Sequence, residues 1–175
     1  MSFKGIRFIS ATALVLCAVI FTIKPSLAVS ANQEAPPIAL RDSSGTYFYL
    51  SNYIGPSAKK PAKGVIVNFF ASICDPCRKE LPAINSLVDE FALKNIKVVI
   101  IGYKEGFDEF MGMLENLKVD KPVILSDPYG KAGKEYGVYA LPMTVFIGAD
   151  GKVKEIVRGE LTGKVLKEKA TKFFK

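Results

Sequence analysis

From Val65 to Phe70 the chain reads Val-Ile-Val-Asn-Phe-Phe. An apolar run of that length marks a strand buried on both faces. Further on, Leu81, Ile84, Val88 and Phe91 recur at spacings of three and four, which makes one buried stripe of a helix. Lys97–Ile101 is a second strand. Phe107, Phe110, Met111, Leu114 and Leu117 form another helical stripe that leads to a short strand at Pro122–Leu125. Asp127-Pro128-Tyr129-Gly130 then breaks the chain before a short helix at Lys131–Tyr136. Met143–Ile147 is the next strand, and Ala149-Asp150-Gly151 turns it into Lys152–Val157. Thr162 is placed to cap a closing helix, with Val165, Leu166, Ala170 and Phe173 facing inward. Upstream, Ile38–Leu40 and Thr46–Leu50 flank the turn signal Asp42-Ser43-Ser44-Gly45, which predicts an N-terminal hairpin. Strands alternating with helices and closed by a hairpin predict an α/β fold, a mixed central sheet with helices on both faces.

One hundred and seventy-five residues, 49% of them apolar, suit one packed domain with a short extension. That extension is the first 28 residues. Lys4 and Arg7 open it, Phe8–Ile23 is uncharged and mostly apolar, and Ser26-Leu27-Ala28 offers small residues for cleavage. It reads as an export signal removed after Ala28, with an uncleaved membrane anchor as the alternative. The sixteen residues of Phe8–Ile23 span about 24 Å as a helix, short of the roughly 30 Å hydrocarbon core. Residues 29–37, ending in Pro36-Pro37, are expected to be a flexible leader, and 38–175 the folded domain. The signal carries three basic residues and no acid, so 24 less 3, or 21, basic residues remain against 17 acidic ones. The excess is mild. Its only cluster is Lys59, Lys60 and Lys63, in a loop rich in Pro and Gly without interleaved aromatics, so no nucleic-acid partner is expected.

Cysteine usage narrows the chemistry. Cys17 lies in the signal, which leaves Cys74 and Cys77 as a pair two residues apart. They sit where the Val65–Phe70 strand gives way to a helix, so free N–H groups and the helix dipole favour a thiolate on the first cysteine. A structural disulfide over so short a loop constrains the unfolded chain little. A structural zinc site wants four Cys or His ligands, and the chain has no histidine. A two-electron redox pair is therefore favoured over a structural or zinc pair, and neither metal nor cofactor is expected.

The stretch Phe69-Phe70-Ala71-Ser72-Ile73-Cys74-Asp75-Pro76-Cys77-Arg78-Lys79-Glu80-Leu81-Pro82 resembles the active-site segment of the thioredoxin superfamily. It is most similar to the exported TlpA/ResA-like thiol–disulfide oxidoreductases. Ala140-Leu141-Pro142-Met143-Thr144-Val145-Phe146-Ile147 and Asp150-Gly151-Lys152-Val153 match the second signature of that family, in the right order. The resemblance implies a thioredoxin-like sheet in which Phe107–Leu125 is an extra helix–strand insertion. It makes Cys74 the attacking thiol and Cys77 the buried resolving one. Pro76 fixes φ early in the helix. Asp75 is a charge that raises the neighbouring thiol's pKa, an acid favoured by the helix start, or both. Glu80, three residues after Cys77, is implied as a proton-handling acid of the site, against the alternative of a surface carboxylate paired with Arg78 or Lys79.

Plain thioredoxins carry a buried aspartate where this chain has Asn68, so that proton relay is absent. Pro142 matches the cis-proline loop, where the backbone near Leu141 meets an extended substrate. Pro82 is expected to kink the first helix. Phe70 and Ile73 stand where the family often has indoles, which implies a smaller, more aliphatic surface around Cys74. The implied activity is reduction of disulfides in partner proteins, such as apocytochrome c during cytochrome c maturation. Electrons would come from a membrane thiol transporter, outside the cytoplasm, with the protein acting as a monomer. The alternatives are a disulfide oxidase or isomerase, and a non-catalytic binding module whose disulfide pins a loop.

Overall fold

A computed structural model describes residues 28–175, so the expected signal or anchor lies, Ala28 aside, outside the described residues. Among the described residues the strands are β1 (Ala39–Asp42), β2 (Tyr47–Tyr49), β3 (Gly64–Phe70), β4 (Ile96–Tyr103), β5 (Val123–Asp127), β6 (Met143–Gly148) and β7 (Val153–Arg158). The helices are α1 (Asp75–Leu93), α2 (Phe107–Asn116), α3 (Lys131–Tyr136) and α4 (Gly163–Phe173), with a 3-10 turn at Leu50–Asn52. The strands form one sheet in the order β2-β1-β5-β4-β3-β6-β7. β3, β4 and β5 are parallel, while the hairpin strands at both edges run antiparallel to their neighbours. This is the mixed sheet that the sequence pattern predicts, with the α2–β5 insertion in place.

Each central strand feeds two cores, because successive side chains point to opposite faces. On β3, Ile66 and Phe70 join the α1, α2 and α4 side with Leu81, Ile84, Phe110 and Leu166. Val65, Val67 and Phe69 join the other side with Tyr136, Ile38 and Leu50. Both faces are dry, which is why β3 reads as continuous apolar sequence. Asn68 and Thr144 fall on the α1 side of that alternation, paired across β3 and β6. Gly102 on β4 leaves room for the Phe110 ring; a Cβ there would stand 2.3 Å from it.

The closing helix starts as its pattern predicts, with Thr162 Oγ1 accepting from the Val165 N–H at 3.3 Å. Its inward residues shift by one at the end: Phe174 is buried, and Phe173 only half so. α1 runs from Asp75 through Pro82 to Leu93 as one helix. The proline sits on the solvent side, where the loss of one backbone donor is tolerated.

Residues 29–37 depart from the flexible leader expected of them. They are docked against the sheet edge and α3. The Asn32 N–H donates to the Val153 carbonyl at 2.8 Å, the Val153 N–H to Gln33 at 2.9 Å, and the Ala35 N–H to Gly151 at 2.9 Å. Val29 is buried, and the Tyr136 hydroxyl donates to the Pro36 carbonyl at 2.7 Å. The pairing gives partners to the backbone groups of Gly151 and Val153 at the start of β7, where the sheet edge would otherwise be open. A short polar segment hides this from sequence reading, because the pairing partner lies more than a hundred residues away.

Candidate active site

Cys74 ends the loop after β3 and is the N-cap of α1; its Sγ accepts the Cys77 N–H at 3.2 Å. Cys74 and Cys77 are joined, with an S–S distance of 2.05 Å. Cys77 is fully buried while Cys74 is partly accessible. That asymmetry follows from the helix start, since one turn carries the second sulfur down into the core beneath the first. Asp75 and Pro76 occupy the first two helical positions, exposed, where an acid suits the dipole and a proline costs no hydrogen bond.

Glu80 lies one turn beyond Cys77 on the buried face of α1 and is 1% exposed. The surface alternative is therefore absent from this structure: Glu80 pairs with neither Arg78 nor Lys79. Instead Oε2 accepts the Leu161 N–H at 2.6 Å, and Oε1 accepts a short hydrogen bond from Asn68 Nδ2. Burial drives its pKa from 4.5 up to about 7. The Leu161 and Asn68 donors oppose that rise, and the Glu160 carboxylate adds to it. Loss of water around the charged form outweighs the two donors, and among the described residues no ion-pair partner offsets it.

The second signature arrives by strand pairing. β6 pairs with β3 in a register that sets Met143 against Phe69. Pro142 therefore lies beside the end of β3, from which the Cys74 loop departs. The Leu141–Pro142 bond is cis. Leu141 is half-buried against both cores. Ile73, beside Cys74, is 89% exposed, and Tyr139 is 79% exposed with the Arg158 guanidinium 4.7 Å over its ring. Phe70, at the other indole position, is fully buried and packs edge-on against Phe110.

Sequence reasoning passed over Glu105. It stands in the β4–α2 loop, and its carboxylate accepts both the Ser72 N–H at 2.8 Å and the Ser72 hydroxyl at 2.7 Å. The Glu105 carbonyl in turn accepts from Ser126 Oγ at 2.8 Å. The β3–α1 loop, the β4–α2 loop and the end of β5 are thus tied together two residues before Cys74. Only its place directly after a buried strand, at the sheet end that also carries the cysteines, hints at this. Tyr139 was also passed over; its place three residues before Pro142 is the available signal.

A thioredoxin-type sheet that presents a cysteine pair at the start of α1 is the arrangement of a thiol–disulfide oxidoreductase. Comparison with known proteins agrees. The chain belongs to the AhpC/TSA family, which it matches over residues 31–156. It is 31% identical over 136 residues to the thiol-disulfide oxidoreductase ResA of Bacillus thuringiensis subsp. konkukian, covering 78% of this chain and 74% of that protein. It is 38% identical over 106 residues to the thiol:disulfide interchange protein CycY of Rhizobium leguminosarum, covering 61% of this chain and 55% of the relative. Among solved structures, a thioredoxin-family thiol:disulfide interchange protein from Chlorobium tepidum superposes with a TM-score of 0.68 at 23% identity. That match covers 85% of this chain and all of the other. The protein is a thiol–disulfide oxidoreductase of the ResA and CycY type.

Proposed function

We propose that this protein is an exported reductase that opens disulfides in partner proteins, with apocytochrome c as the substrate that the TlpA/ResA likeness points to. The observation that carries the direction is Glu80, a carboxyl one turn below Cys77 that is buried and held by two uncharged donors, with burial raising its pKa. A strongly oxidising pair needs its reduced, thiolate form stabilised. Here the pair has acids on α1 (Asp75 and Glu80) and no histidine anywhere in the chain. An ionised Glu80 disfavours a thiolate on Cys77, and a neutral one tolerates it.

In the reduced protein, the Cys74 thiolate attacks one sulfur of the substrate disulfide, and the other substrate sulfur leaves and takes up a proton. Cys77 gives its proton to Glu80 and attacks Cys74 Sγ; the bond from Cys74 to the substrate breaks, and the second substrate sulfur leaves and takes up a proton. Two electrons pass to the substrate, and the Cys74–Cys77 disulfide seen here is the product. A membrane thiol transporter restores the dithiol by the same exchange in reverse. Exposed Ile73 and Tyr139, with the backbone at Leu141 and Pro142, form the surface on which the substrate strand lies. Residues 1–28 serve as signal or anchor and place the domain outside the cytoplasm. Among the described residues no helix is long and apolar enough to cross a membrane.

The test is the reduction potential of the pair, by equilibration in defined thiol buffers and mass-tagging of free thiols. A value near or below about −270 mV, that of thioredoxin, is expected. A value near about −120 mV, that of the strong oxidants, would overturn the direction and assign the protein to disulfide formation. A pair that never exchanges would make it a binding module.

A further inference from the structure

Asn68 is the polar group of the core that the chemistry above leaves half used. It is fully buried on β3, and its Nδ2 serves two acceptors, Glu80 Oε1 and Thr144 Oγ1, the latter at 3.0 Å. Its Oδ1 is buried and has no hydrogen-bond partner. Buried side-chain oxygens almost always find a donor, so an orphan needs a reason.

Glu80 supplies one. As a carboxylate it accepts only, and the Asn68 amide and the Leu161 N–H meet that need. Once protonated, Oε1–H must donate, and an amide nitrogen cannot accept. Half a turn of the Asn68 amide about its last side-chain bond exchanges Nδ2 for Oδ1. The oxygen then accepts from Oε1–H and from the Thr144 hydroxyl, which is able to donate as well as accept. Each charge state of Glu80 has one amide orientation that satisfies it.

We propose that Asn68 is a positioning residue for Glu80, its amide reversing as the carboxyl gains and loses its proton. This rests on the reading of Glu80 as the group that takes the Cys77 proton. It also accounts for an amide at this strand position, since an ionised aspartate has no donor to offer and an apolar side chain offers neither donor nor acceptor. The titratable groups facing Glu80 are Cys77 on its own helix and Glu160 in the segment before α4. β3 and β6 present the neutral Asn68 and Thr144, and among the described residues Glu80 has no ion-pair partner.

The experiment is NMR on the oxidised full-length protein, in which neither Cys74 nor Cys77 titrates. The Glu80 carboxyl 13C signal and the Asn68 side-chain NH2 signals are followed from pH 4.5 to 8.5. The expected result is one shared midpoint, with the contacts of the Asn68 NH2 protons to Thr144 and Glu80 present above it and lost below it. Asn68→Leu should raise the Glu80 midpoint by about one pH unit, because both charge states lose the amide and the charged form loses the stronger of the two hydrogen bonds. Asn68 contacts that persist unchanged while Glu80 titrates would overturn the reversal and leave the role of Glu80 standing. A Glu80 midpoint in the ordinary carboxylate range would sink both. If Asn68→Leu fails to fold, the wild-type spectra decide alone.

Discussion

Replacing Glu80 by Gln keeps the shape of the side chain, removes its charge and leaves one acceptor for two donors, so the pH dependence of its effect on stability isolates the burial of that charge. The folded protein holds the Glu80 proton up to about pH 7, whereas a carboxyl in the unfolded chain releases it near 4.5. Between those values the folded state binds more protons than the unfolded one, so stability falls as pH rises. Over about 2.5 pH units, at about 1.36 kcal/mol each, the loss comes to about 3 kcal/mol and levels off above pH 7. The two hydrogen bonds from Leu161 and Asn68 are already contained in that value, since they oppose the rise. The assay is urea unfolding of the oxidised wild type and Glu80→Gln at half-unit steps from pH 4.5 to 8. With no histidine in the chain and the Cys74–Cys77 pair joined, neither an imidazole nor these two thiols titrate across this window. Wild type should lose stability across the window and the variant should not. By pH 8 the two should have diverged by about 2–3 kcal/mol relative to their difference at pH 4.5. Parallel curves would refute the buried, late-titrating carboxyl.

The other expectations concern exchange and its loop. Cys77→Ser should trap substrate on Cys74 as a stable mixed disulfide, because the resolving sulfur is gone; recovery of no Cys74-linked partner from cells would count against the mechanism. Glu105→Gln retains only one acceptor for the two Ser72 donors. A lost hydrogen bond to a charged group is worth about 1.5–3 kcal/mol. Amide exchange at Ser72 should accelerate about tenfold or more, while core amides change little. Equal Ser72 protection in both proteins would show that the clamp does not hold the Cys74 loop.

The order of elements was legible because each obeys a local rule. α3 falls at Lys131–Tyr136 because a Pro-Gly break precedes it. α4 starts after Thr162 because a hydroxyl there satisfies a free N–H. β3 declares itself by having no polar face, although its one polar residue, Asn68, is the one that touches the site chemistry. The docking of residues 29–37 was not legible, since backbone pairing carries no side-chain signature. Nor was the Glu105–Ser72 clamp, whose partners are 33 residues apart.

The cysteine pair, its place at a helix start and the class of chemistry follow from sequence alone, because spacing over one helical turn is a local property. The fate of Glu80 does not. Its position after Cys77 allows either a surface acid or a buried one. Only the packing of α1 against β3 and the segment at Leu161 takes it out of water, limits it to two uncharged donors and moves its proton release to near neutrality. Desolvation is a property of everything around a group, and that is assembled from strands and loops far apart in the chain.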